Sequence, residues 1–362
     1  MTAQPGVFGW LRLTLTPGLT GPRLRELLAR FGLPDQVLSA KRSQVAAIVG
    51  EDVSAAMVGE PVTAAAEVAL KWAASPQNNL ITLVDEAYPQ LLLETSDPPA
   101  LLYCCGNLDL LSKPALAIVG SRNATAQGAR DAESFGTALG QAGFTIVSGL
   151  ALGIDSAAHL GAADTAGSTI AVLGAGIDVV YPAANASLYR LVGQKGLLVS
   201  EFPLGAAPIA RNFPRRNRVI SGLSLGCLVI EAALASGSLV TARLAAEQGR
   251  DVFAIPGSIH APLSKGCHSL IKTGAKLVES AQDVLVELGG ILPSSPKDEK
   301  RQPGRRLPSE PFLTKMGYAP IDVDTLSLRA GLPVERVSAE LLRLELAGQV
   351  ASLPGGLYQR LS

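Results

Sequence analysis

Residues 115–128 read ALAIVGSRNATAQG. Five apolar residues run without a polar break, then a turn of small residues carries one arginine, then a helix-compatible stretch begins. Five more apolar runs follow the same plan: FTIVS (144–148), TIAVL (169–173), LLVS (197–200), GCLVIEA (226–232) and DVFAI (251–255). Ala-rich segments of helical length separate most of them. A strand with one wet face alternates apolar and polar residues; a strand buried on both faces does not. The pattern therefore predicts an α/β fold: a Rossmann-like, open, mostly parallel sheet with helices on both faces.

Outside this core, over 80–290, the composition changes. In WLRLTLTPGLTGPRLRELLARFGL, Leu24, Leu27, Leu28 and Phe31 share one helical face, and the tight PGLTG turn precedes them. A small all-α unit of helix-hairpin-helix or SAM-like type is expected over 1–75. Such hairpins can offer N–H groups to DNA phosphates, but Thr20 stands where the second glycine of the turn belongs, and an interaction module is the competing reading. Residues 291–311 contain PSSPKDEKRQPGRRLPSEP and read as a flexible linker. Residues 312–362 read as helix, turn, helix and a two-stranded wing, a winged helix. Its charges balance, with Lys315, Arg329, Arg336, Arg343 and Arg360 against Asp322, Asp324, Glu335, Glu340 and Glu345. Glu335, Glu340 and Glu345 on the second helix oppose phosphate contact, which favours a protein partner there over DNA.

The whole chain has 362 residues, 31 basic and 31 acidic, for a formal charge of zero. That argues against a broadly basic coat but leaves room for one focused basic pocket. No apolar run reaches the roughly 18–20 residues of a membrane helix. The beginning, MTAQPGVFGWLRLTL, lacks the basic start and apolar core of a signal peptide, so a cytoplasmic protein without membrane contact is expected. Cys104, Cys105, Cys227 and Cys267 form no CxxC pair and are expected as reduced thiols. Three histidines, His159, His260 and His268, give a zinc site or a catalytic triad little to draw on. Asp155 and His159 stand at i, i+4, a spacing that suits a metal, but Asp155 also sits where a helix N-cap belongs and no third ligand is apparent. No metal and no cofactor are expected.

Ligands of open α/β sheets bind at the carboxyl ends of the strands. Four loops there carry donors: GSRNATAQG (120–128), SGLALGIDSAAH (148–159), GAGIDVVYP (174–182) and EAALASGSLVTA (231–242). Glycines admit a close phosphate, and hydroxyls add donors. FPRRNRVISG (213–222) follows the LLVS strand. Between Glu201 and Glu231 no acidic residue occurs, whereas Arg211, Arg215, Arg216 and Arg218 do, a local charge of +4 expected to face the same edge as Arg122. Arginine forks match phosphate oxygens, and Phe213 can stack on an unpaired base. No Walker A sequence is present, and GAG at 174–176 is only a fragment of a dinucleotide fingerprint.

The strings GSRNATAQG, VSGLALGIDSAAHLGA, TIAVLGAGIDVVYP, SEFPLG, FPRRNRVISGLS, EAALASGSLVTARLAAEQGRDVFAIPG and GCHSLIKTGAKLV, in this order over about 115–285, closely resemble the bacterial DNA-processing protein A (DprA/Smf) family. The resemblance implies a non-catalytic protein that binds single-stranded DNA taken up in natural transformation, protects it and loads the RecA recombinase. It implies a homodimer, and the single-stranded-DNA-binding protein is a further candidate partner. The family's DNA pocket matches Gly120, Ser121, Arg122, Phe213, Arg215, Arg216, Asn217, Arg218, Ser236, Gly237 and Ser238, with Ser148 and Gly149 in the adjoining loop. Its dimer contact matches His268, Ile271 and Leu277. The competing reading is a nucleotide-processing enzyme of the phosphoribohydrolase type. Such enzymes carry a PGGxGTxxE stretch; ASGSLVTARLAAEQG here keeps Glu247 at a similar remove but lacks the glycine pair.

Overall fold

A computed structural model describes residues 6–288 and 311–361. Apart from Pro311, the linker expected over 291–311 lies outside them. The chain opens with helices α1 (Val7–Leu15), α2 (Gly21–Phe31), α3 (Pro34–Ser39), α4 (Arg42–Val49), α5 (Glu51–Ala56) and α6 (Glu60–Ala73). The PGLTG turn joins α1 to α2, with Gly18 at φ 79°. Leu13, Leu24, Leu27, Val37, Val45 and Met57 close a small core between these helices. Trp10 and Leu11 point instead into a cluster shared with the sheet, and Trp72 meets Tyr103 with ring centroids 5.7 Å apart. The helical unit is therefore packed onto the core.

Among the described residues, nine strands form the main sheet. They are β1 (Asn78–Thr82), β2 (Leu101–Gly106), β3 (Ala115–Val119), β4 (Thr145–Ser148), β5 (Thr169–Val172), β6 (Leu197–Ser200), β7 (Gly226–Val229), β8 (Asp251–Ala254) and β9 (Lys276–Leu277). A short helix α7 (Gln90–Leu93) lies between β1 and β2. The order is β1-β2-β6-β5-β4-β3-β7-β8-β9. From β6 to β9 all neighbours are parallel, while β1–β2 and β2–β6 are antiparallel. All six apolar runs of the sequence are strands. The sequence did not reveal β1 and β2, whose NNLIT and LLYCCG flank a Pro-rich stretch, nor β9, only two residues long.

The crossovers are α8 (Ala126–Gln141), α9 (Ile154–Ala162), α10 (Ala186–Lys195), α11 (Asn212–Gly222), α12 (Ser238–Glu247) and α13 (Lys265–Lys272), with α14 (Ala281–Leu288) after β9. Both faces of the sheet are covered, and β3 shows how. Ala115, Ala117 and Val119 join Val219 and Ile220 of α11 and Ala242 of α12. Leu116 and Ile118 join Phe135 and Leu139 of α8 and Ala158 of α9. Each residue of β3 thus enters one of two cores, which is why no polar residue interrupts it.

The C-terminal unit holds α15 (Pro311–Met316), β10 (Ile321–Asp322), α16 (Val323–Ala330), α17 (Val334–Leu346), β11 (Val350–Leu353) and β12 (Leu357–Arg360), a winged helix. Its sheet runs β10-β12-β11, and Leu326, Val337, Leu341 and Leu344 fill its core. Leu328, Leu342 and Leu346 are exposed. Among the described residues no helix is long and apolar enough to cross a membrane.

Candidate nucleic-acid interface

The strand order reverses at β3, which pairs with β4 on one side and β7 on the other. The loops leaving β3 and β7 diverge there and open a crevice at the carboxyl edge. A cleft of about 770 Å³ occupies it. Gly120, Ser121 and Arg122 come from the β3 loop, Phe213, Arg216 and Asn217 from α11, and Ser236, Gly237 and Ser238 from the start of α12. Nine of the expected DNA-binding residues thus share one wall system.

Their roles differ. Arg122 is exposed, its guanidinium 5.6 Å above the Phe213 ring, and among the described residues no carboxylate lies within 4.0 Å of it. It is free to meet a phosphate. Arg216 is only 5 % exposed. It donates from Nη1 to the Gly149 carbonyl at 2.7 Å and to the Val172 carbonyl, and from Nε to Asn217 Oδ1 at 3.2 Å. Burial pushes its pKa down to about 10, so it stays charged at neutral pH. Arg216 ties α11 to the ends of β4 and β5. Asn217 continues the tie, donating from Nδ2 to the Gly237 carbonyl at 3.4 Å. The Ser236 and Ser238 hydroxyls lie 2.7 Å apart, and the Ser238 N–H donates to Ser236 Oγ at 3.3 Å.

Phe213 rests on the turn after β5. A Cβ on Gly174 would stand 2.7 Å from the Phe213 ring, so the first glycine of GAG makes room for an aromatic wall. Tyr181, 44 % exposed, faces Phe213 with centroids 5.6 Å apart. A smaller cavity of about 140 Å³ lies behind them, reached by Arg122 and Arg216. Tyr181 and Asn123, both lining the large cleft, were not singled out from the sequence. The signal for Tyr181 was an aromatic beside proline in a loop at the right sheet edge.

Two sequence expectations change. The arginine window does not stand free of acid in space. Glu201, its side chain 3 % exposed, accepts Arg215 Nη2 at 3.0 Å and also binds Arg218. Asp97 lies 3.4 Å from Arg218 Nε and bonds Arg25 of α2. Arg215 and Arg218 therefore occupy the flank of α11 away from the cleft lining, because residues three or four apart share a helix face and positions 215 and 218 fall about half a turn round from 213, 216 and 217. Asp155 is not the N-cap of α9, a place taken by Gly153. Its Oδ2 accepts the Gly149 N–H at 3.1 Å and the Ala151 N–H at 3.4 Å, so it staples the β4 loop from inside the first turn.

His159 completes that loop. Thr169 Oγ1 donates to the Ile146 carbonyl at 2.6 Å, so the His159 Nδ1–H donates to Thr169 Oγ1 at 2.7 Å. Nε2 is left to accept the Leu150 N–H at 3.3 Å. Leu150 needs this hold, because its φ of 56° is left-handed and its side chain fully buried. Ser148 is also buried and donates to the Ile118 carbonyl at 2.6 Å, while Gly149 lines the small cavity. Among the described residues no group of three or more His, Cys, Asp or Glu could hold a metal. His268 and Ile271 are half-buried on α13, and Leu277 is 50 % exposed on β9.

Comparison with known proteins gives this geometry its context. A family model described as DNA recombination-mediator protein A matches residues 79–289, and a DprA winged helix domain matches 297–356. Protein Smf of Escherichia coli (strain K12) is 48 % identical over 302 residues, 82 % of this chain and 80 % of its own length. The X-ray structure of DNA processing protein A from Streptococcus pneumoniae superposes with a TM-score of 0.68 at 43 % identity, over 77 % of this chain and 97 % of that one. A Helicobacter pylori structure of the same name, described for its single-stranded DNA binding mode, gives a TM-score of 0.54 at 31 % identity, over 59 % and 96 %. The chain therefore belongs to the DNA recombination-mediator protein A family, whose matched region spans the whole cleft.

Proposed function

We propose that this protein binds single-stranded DNA in the switch-point cleft and acts there without chemical turnover, as a mediator that loads a RecA-type recombinase during natural transformation. The observation that carries the reading is the pairing of Arg122, exposed and unpaired among the described residues, with the Tyr181–Phe213 aromatic wall. An exposed arginine fork suits a phosphate, and an accessible ring suits an unstacked base. The Helicobacter pylori relative, described as binding single-stranded DNA, supports it.

The strand runs along the carboxyl edge, with phosphates on Arg122 and the Ser236–Ser238 turn and a base against Phe213. Gly120 and Ser121 shape the floor, and Arg216 and Asn217 hold the two sides in register. Arg215 and Arg218 flank this path. A duplex keeps its bases stacked and cannot use the aromatic wall. With Arg122 as the cation that meets phosphate in the cleft, the salt slope per cleft is shallow, about −0.7. A homodimer through His268, Ile271 and Leu277 would place two clefts on one strand and raise the apparent affinity by avidity. The compartment is the cytoplasm, where the recombinase and the single-stranded-DNA-binding protein meet the incoming strand.

The test is fluorescence anisotropy with labelled oligo(dT), using duplex DNA and AMP as competitors at two salt concentrations. Binding weakened by salt and little displaced by duplex or AMP is expected. Displacement by AMP, or no binding to oligo(dT), overturns the proposal in favour of a nucleotide-processing enzyme.

A further inference from the structure

In a doubly wound sheet, the N-terminus of the helix after the first parallel strand is where a nucleotide's phosphates sit. Here that helix is α8, and a carboxylate is already there. Thr125 is the N-cap, its Oγ1 accepting the Gly128 N–H at 2.9 Å. In a complete capping box the third helical residue is Glu or Gln, which reaches back to the N-cap N–H. The third residue of α8 is Gly128, which has no side chain to reach with. Glu231, from the loop after β7, supplies the group from across the crevice. Its Oε2 accepts the Thr125 N–H at 2.9 Å, and its Oε1 accepts the Thr125 hydroxyl at 2.6 Å. A Cβ on Gly128 would stand 2.4 Å from Glu231 Cδ, so the carboxylate lies where a side chain at that position would begin.

We propose that Glu231 is a specificity-determining residue: a built-in anion that fills the phosphate seat of α8 and bars free nucleotides from the switch point. The partial positive charge of the helix end is then already neutralised. A pyrophosphate entering here meets the Glu231 carboxylate rather than an open helix end. A polymer's phosphates fall instead to Arg122 and the Ser236–Ser238 turn, so a strand binds where a mononucleotide does not. This rests on the reading of the cleft as a strand-binding site.

The test titrates inorganic pyrophosphate and AMP into the full chain by calorimetry, with thermal unfolding in parallel. Wild type should bind neither below millimolar concentrations, and Glu231→Ala should bind pyrophosphate at least tenfold more tightly. Glu231→Gln keeps a hydrogen bond to Thr125 but removes the charge, and should gain at least threefold; it decides the matter if the alanine variant does not fold. Pyrophosphate binding by wild type as tight as by the variants, or no gain in a folded variant, overturns the proposal. Labelled oligo(dT) is measured on wild type alongside. Failure there refutes strand binding, whereas the pyrophosphate comparison reads the seat by itself.

Discussion

Arg122 and Arg216 lie on the same cleft, and their alanine variants should fail in opposite ways. Arg216→Ala removes a guanidinium that is 5 % exposed and bonds the Gly149 and Val172 carbonyls. Val172 is buried, so water does not replace the lost donor there, and Asp155 loses its facing cation. Breaking a buried charged contact of this kind costs about 3–5 kcal/mol. For a domain of this size that is a fall in Tm of roughly 6–20 °C. DNA binding should fall as well, because α11 carries Phe213 and Asn217 and loses its tie to the β4 loop. Lysine recovers little of this, since one ammonium does not reproduce the fork that spans two carbonyls and Asn217. Arg122→Ala removes an exposed side chain and should change stability by less than about 0.5 kcal/mol. It should still weaken oligo(dT) binding about tenfold and make the salt slope shallower by about 0.7, the share of one phosphate contact on a single strand. Urea unfolding and anisotropy on both variants read the two quantities separately. An unchanged unfolding midpoint in Arg216→Ala, or an equal stability loss in both variants, would refute the division into scaffold and contact.

Phe213→Ala should weaken single-strand binding about tenfold to a hundredfold, by loss of stacking, with the salt slope unchanged; a slope that falls with the affinity would assign phosphate contact to this position instead. His159 has its pKa pushed down to about 3 by burial, with Arg216 adding to the effect. The unfolded chain takes up that proton first, near pH 6.5. Stability present above about pH 6.5 is therefore lost as pH falls toward 3, by up to about 1.4 kcal/mol per pH unit. His159→Asn should flatten that part of a pH series of urea midpoints, and an unaltered slope would place the acid sensitivity elsewhere. For the dimer, Leu277→Glu is a cleaner probe than Ile271→Glu, because Ile271 packs against the sheet core while Leu277 is half exposed. Sedimentation should show a dimer for wild type and a monomer for the variant; a dimer in both would remove β9 from the contact.

The parallel core was legible in the sequence because burial on both faces leaves a local trace: no polar residue enters β3 to β7 except at the ends, at Thr145, Ser148, Thr169 and Ser200. The carboxyl-edge loops followed from strand order, since glycine, serine and arginine cluster after successive strands. The edge strands escaped notice because β9 is too short to show a period and β1 is half polar. Individual side-chain duties in the cleft were beyond sequence reasoning. The window from Glu201 to Glu231 held four arginines and no acid, yet a charge acts through space and not along the chain. Asp97, 121 residues before Arg218, folds against it, and Glu201 at the window's own edge turns back between Arg215 and Arg218. Helical geometry then sorts neighbours, sending Phe213, Arg216 and Asn217 toward the cleft and Arg215 and Arg218 to the opposite flank. The sequence by itself determined that positive charge would gather at the carboxyl edge of a parallel sheet. Only the tertiary structure decided that Arg122 stands exposed in the cleft, Arg216 is spent on buried carbonyls and Arg215 and Arg218 are paired with acid, because desolvation and pairing depend on neighbours that the chain brings together only when it folds.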